Sequence, residues 1–172
     1  MSKITALSIS VGVFGMLSTL LTATVWPLPV WVLFLAWASF FFVGSGLKGL
    51  LKSVACNWTG IVIATVTLLS VQASSSALLL SIAVGIGSLA MVQASRLPWI
   101  SATPAIVFGF AMTVGTIAAT GNGITTAGIS HPALVAAVTA LVGAGFGVLS
   151  EWGAAGIARV FGSRTAPLAQ PA

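Results

Sequence analysis

Gly44-Ser45-Gly46-Leu47-Lys48-Gly49-Leu50-Leu51-Lys52 interrupts two very apolar runs and carries two of the chain's six basic residues. Its reading decides the fold, because basic residues between apolar runs fix which way each run crosses a membrane. A second glycine break, Gly121-Asn122-Gly123, stands in the other half of the chain. Outside these breaks polar residues are sparse: 58% of the 172 residues are hydrophobic and 4% are charged, with Glu151 the only acid. A soluble domain carries roughly 25% charged residues. So few charges cannot build a water-facing surface, and lipid must cover most of the outside.

The same composition excludes several functions. The net charge of +5 is spread singly, without the basic patch and interleaved aromatics of a nucleic-acid binder, so no nucleic-acid partner is expected. One cysteine, Cys56, and one histidine, His131, make neither an intramolecular disulfide nor a zinc site, which needs three or four protein ligands. Ser130-His131 is predicted on the opposite side of the membrane from Glu151, so no Ser–His–acid triad can form. The two glycine breaks lack the lysine and spacing of a phosphate-binding loop. No enzyme activity, catalytic residue, metal or cofactor is therefore expected.

A helix crossing the hydrocarbon needs about 20 mostly apolar residues. Six stretches qualify or nearly do: Ile4 to Thr24, Val30 to Val43, Val54 to Val71, Ala77 to Ala94, Ile100 to Ala119 and Pro132 to Leu149. The first exceeds the 7–15 residue core typical of a signal peptide and is read as a retained span. Trp26-Pro27-Leu28-Pro29 ends it, Gln72 to Ser76 ends the third, and Ser95 to Trp99 follows the fourth. Past the sixth, Glu151 to Phe161 reads as a short interfacial helix and Arg164 to Ala172 as disordered.

With six spans, Lys3, Lys48, Lys52, Arg96, Arg159 and Arg164 all fall on one side and the three opposite loops carry no Lys or Arg. That asymmetry predicts a multi-pass protein of the inner membrane with both termini in the cytoplasm. Ser8-Ile9-Ser10-Val11-Gly12-Val13 also resembles Ser81-Ile82-Ala83-Val84-Gly85-Ile86, Trp26 falls on Trp99 at the same offset, and the glycine breaks follow with a little drift. The fold class predicted is an all-α membrane protein with two three-helix halves, residues 1–76 and 77–152, followed by a tail over 153–172. Three spans per half is odd, so the second copy is inverted, the plan of many transporters and channels.

Gly46-Leu47-Lys48-Gly49-Leu50, Gln93-Ala94, Pro104 followed by Phe108-Gly109, and the pair Gly121 and Gly123 together resemble a bacterial inner-membrane family of unknown function typified by YcdZ and YahC. The resemblance covers roughly Ile4 to Trp152. It implies a six-helix inner-membrane protein and brings no substrate or catalytic residues.

Each candidate site residue carries a functional reading and a plain one. Gly44, Ser45, Gly46, Gly121, Asn122 and Gly123 line a cavity as unwound backbone, or they are ordinary helix caps and turns. Asn57 and Thr116 face a pore or bond a neighbouring helix or their own backbone. Lys48, His131 and Glu151 are candidates for gating or coupling, against a snorkelling lysine, a capping histidine, and an acid paired with Lys52, Arg159 or headgroups. Gly143 and Gly147, with Ala140 a turn earlier, offer a small face for a helix of this chain or of another copy. The leading expectation is a passive channel or facilitator for a small neutral or weakly charged solute, homo-oligomeric if it forms a pore. The competing expectation is a structural or accessory membrane subunit that moves nothing.

Overall fold

Prolines and glycines divide the chain into helices. The computed structural model describes residues 2–162. Six α-helices follow one another: α1 Lys3–Thr24, α2 Val30–Val43, α3 Gly46–Val71, α4 Ala77–Ala94, α5 Thr103–Thr120 and α6 Pro132–Gly162. Short 3-10 turns at Pro98–Ile100 and Gly128–Ser130 precede α5 and α6, and no strand occurs among the described residues. Ser2 and Ser76 cap α1 and α4, their side chains accepting from the amides of Thr5 and Leu79, the usual satisfaction of a free helix N-terminus.

Three boundaries differ from the sequence expectation, each for a local reason. α3 begins at Gly46 rather than near Val54, so the glycine break is only Gly44-Ser45 and Lys48 and Lys52 are helical. Leucine and lysine are good helix formers, and Gly46 makes the turn with φ +63, which a residue with a Cβ rarely adopts. α5 begins at Thr103, because Pro98-Trp99-Ile100 closes a 3-10 turn first. α6 runs unbroken for 31 residues: nothing after Leu149 stops it, so the segment from Glu151 to Phe161 continues the helix instead of forming a separate interfacial one. The expected disorder of Arg164 to Ala172 lies outside the described residues.

Five of the helices are long and apolar enough to cross a membrane. α2, with 14 residues, is about 21 Å long at 1.5 Å per residue, shorter than the roughly 30 Å hydrocarbon. It is nevertheless deeply enclosed, with Val32, Leu33, Ala36 and Phe40 wholly buried.

α3 and α6 cross at the centre of the bundle; α5 packs along α3 and α2 along α6, while α4 leans on α3 and α1 on α6 from outside. Large apolar side chains cover the outside, Ile4, Met16, Leu78, Ile86 and Leu89 among them, while the interior sets wholly buried alanines, Ala36, Ala64, Ala105, Ala136, Ala140 and Ala144, beside a few large groups such as Leu33, Phe40, Ile106 and Met112. The exposed apolar surface suits lipid, and the buried small residues let helix backbones approach closely. Ser8, Ser81 and Ser88, on outer faces, donate to the carbonyls of Ile4, Ala77 and Val84 in their own helices, as hydroxyls must where lipid offers no partner.

The two ends of the bundle are chemically distinct. At one end, Glu151 of α6 meets the amide of Gly46 at the start of α3, and Lys52 Nζ donates to Ser101 Oγ in the α4–α5 connection. Lys3 shares a cleft with Glu151, and Arg96 belongs to the same α4–α5 connection. The opposite end gathers Leu28 with Ile129 and Leu134, and Gln72 to Ser76 with Gly123 to Thr125. Lys3, Lys48, Lys52 and Arg96 thus converge on one end.

Candidate functional site

Between α2 and α3 the bundle interior carries a connected polar group. Asn57, midway along α3, is wholly buried, as are Ser39 of α2 and Ser53 one turn earlier on α3. Ser39 Oγ donates to Asn57 Oδ1 at 2.8 Å and Ser53 Oγ donates to Ser39 Oγ at 3.0 Å. The chain of bonds ends on a surplus donor, since Asn57 Nδ2 has no partner. An unpaired buried amide group costs on the order of 1–3 kcal/mol. Such a surplus marks a place where a polar group of a solute or a water would be welcome. Asn57 therefore bonds a neighbouring helix, and it lies deeper in α3 than a boundary near Val54 implied.

On its other side α3 touches α5 backbone to backbone. A Cβ on Gly60 would collide with the Ile106 carbonyl, and one on Gly109 with the Asn57 carbonyl. Across the bundle, a Cβ on Gly143 would collide with the Leu33 carbonyl. These small residues seat α5 on α3 and α6 on α2. For Gly143 the partner is a helix of the same chain.

The other candidate residues are distributed rather than convergent. Gly44, Ser45 and Gly46 lie at the charged end and Gly121, Asn122 and Gly123 at the opposite end, so the two breaks do not meet. Gly121 is a left-handed C-cap with φ 72, its N–H bonded to the Ile117 carbonyl at 2.9 Å, a common helix ending. Asn122 Nδ2 reaches the Ser130 carbonyl at 3.4 Å. Thr116 is wholly buried and donates to the Met112 carbonyl at 2.8 Å, and Thr59, Thr65 and Thr113 likewise bond the residue four before them. None of these four offers its hydroxyl proton to a path.

His131 caps α6, its Nδ1 accepting from the Ala133 amide at 3.1 Å. Lys48 is exposed on the first turns of α3. Glu151 is half-buried, and its Oε2 accepts from the Gly46 N–H at 2.8 Å. It thereby caps a helix remote in sequence, where a carboxylate meets both the free amides and the positive end of the helix dipole. Lys52, one of the partners expected for Glu151 alongside Arg159 and headgroups, donates to Ser101. Sequence reasoning missed Ser39 and Ser53; the signal was the lone hydroxyl of α2, Ser39, without a clue to which of the several hydroxyls of α3 would face it. It also missed Ser10, whose Oγ donates to the Ser150 carbonyl at 2.8 Å and ties α1 to α6.

Fold and site together define a multi-pass, all-helical membrane protein whose interior polar group is a hydrogen-bonding cluster. The chain belongs to the family described as protein of unknown function (DUF1097), which matches residues 8–155. No match was found among curated proteins or among solved structures.

Proposed function

We propose that the chain is a six-span inner-membrane protein of two inverted three-helix halves, with both termini cytoplasmic, acting as a passive facilitator for a small neutral solute. We also take its family to be the one typified by YcdZ and YahC, on the Gly46 to Leu50 block. The observation that carries the reading is a paired set of contacts. Gly60 of α3 sits under the carbonyl of Ile106 in α5, and Gly143 of α6 sits under the carbonyl of Leu33 in α2. Ile106 follows Leu33 by 73 residues, the spacing that separates Trp99 from Trp26, and Gly143 follows Gly60 by 83. The helix neighbours pair in the same way, α5 on α3 with α2 on α6, and α4 on α3 with α1 on α6. Inverted three-span halves recur in transport proteins, with solute sites near the midplane between them.

The same registers set Ser39, Ser53 and Asn57 opposite Met112, Ala136 and Ala140, which pack in an apolar cluster. One half has polar groups where the other has methyl and thioether groups. In this reading the Asn57 amide is the solute's contact point when the halves part, and the described state is closed. No reacting group is assigned, and selectivity rests on hydrogen bonding and width. Glycerol and urea flux into proteoliposomes, followed by stopped-flow light scattering, is expected to rise with protein and to fall at least tenfold in Asn57→Leu. Equal rates with and without protein overturn the proposal.

One observation favours a second reading, a non-transporting accessory subunit: Asn57, Thr113 and Thr116 have 0% exposure, so the core is sealed. Absence of flux for every solute, together with co-purification of one membrane partner, would select it.

A further inference from the structure

α1 leans on α6, and where the two part at the charged end they leave a cleft of about 330 Å³ lined by Lys3, Leu7, Glu151, Ala154, Ala155 and Ala158, among others. The registers given above carry these positions onto Ser76, Leu80, Leu68, Val71, Gln72 and Ser75. All six line the cleft between α4 and α3 at the opposite end. The two clefts are equivalent in position and different in chemistry. Only the first holds a cation and an anion above a floor of alanine and leucine.

We propose that the α1–α6 cleft is a binding site for a phospholipid with a primary-amine headgroup, a phosphatidylethanolamine. Lys3, exposed on the first turn of α1, offers its ammonium to the phosphate. Glu151 spends Oε2 on the Gly46 amide, and Oε1 remains to accept from the lipid ammonium. A carboxylate oxygen accepts from a primary ammonium but receives no N–H from a choline, and it repels a headgroup that is only anionic. The methyl-lined floor suits the glycerol and first acyl carbons, which a soluble phosphate ester lacks. Basic residues at the ends of spans already favour phosphate; the acid beside this one is what selects the amine. The inference needs the membrane reading but not the solute.

Native mass spectrometry of the detergent-purified, delipidated full chain, titrated with ethanolamine, choline and glycerol phospholipids of matched acyl chains, tests it. One ethanolamine lipid is expected to bind with roughly fivefold preference over either other lipid, the scale of a single exposed ion pair. Glu151→Gln keeps an oxygen for the Gly46 amide and is expected to abolish that preference while losing less thermal stability than Glu151→Ala, since only the charge against the helix dipole is removed. Lys3→Gln is expected to weaken all three lipids alike, since each carries the phosphate. Equal retention of the three lipids overturns the proposal, as does free phosphoethanolamine binding as tightly as the lipid. So does an unchanged preference in Glu151→Gln or, should that variant not fold, an unchanged affinity for the ethanolamine lipid in Lys3→Gln. Solute flux is measured separately, so either proposal can fail alone.

Discussion

At the scale of single residues, the bundle rests on glycines that cannot be enlarged. The missing Cβ of Gly60 or Gly143 is what lets a neighbouring carbonyl approach, and overfilling a tight contact costs about 1–3 kcal/mol. Gly60→Ala and Gly143→Ala are each expected to lower thermal stability in detergent by that order. Gly85→Ala has nothing within 4 Å of its new methyl and is expected to leave stability unchanged or raise it by up to about 1 kcal/mol, since alanine suits a helix interior better than glycine. Unfolding of the three variants followed by tryptophan fluorescence checks this, and equal losses in all three would contradict it. The sequence marked Gly143 as part of a small face but did not separate Gly60 from Gly85. Which of them lies under a carbonyl depends on how the helices are rotated, and that no residue announces locally.

At the scale of the element, α3 is held at its start by a residue 105 positions away. Ser45, at the N-cap position, makes no side-chain capping bond, and Glu151 supplies the acceptor instead. Cross-helix capping of this kind ties the ends of α3 and α6 together, so their loosening should be coupled. Glu151→Ala is expected to destabilise by about 1 kcal/mol, the usual worth of a cap, and to speed hydrogen exchange at the first amides of α3 while leaving those near Val71 protected. Uniform exchange along α3 would argue against the cap. The element boundaries taught a related lesson. The ends marked by proline were legible, as at Trp26 to Pro29, because proline acts within its own turn. The start of α3 was not, because the group that satisfies its free amide comes from another helix.

For the whole molecule, the convergence of Lys3, Lys48, Lys52 and Arg96 on one end is a statement about sidedness. Cysteines introduced at Lys48 and Ser101 are expected to react with an impermeant thiol reagent from one face of the membrane, and those at Ser75 and Thr125 from the other. Cys56 is wholly buried and should stay silent in the background. Labelling of Lys48→Cys and Ser101→Cys from opposite faces would break the architecture, and the solute proposal with it.

Composition and the order of apolar runs were enough to make this a multi-pass helical membrane protein, because the cost of placing charge and open backbone in hydrocarbon acts on each segment by itself. Tertiary structure alone decided that Ser39 joins Asn57 to Ser53, that Thr116 turns back on its own helix, and that Glu151 caps α3. Each of these depends on which face one helix turns to another. Side chains of similar polarity in similar apolar runs leave that rotation open until the backbones are in contact.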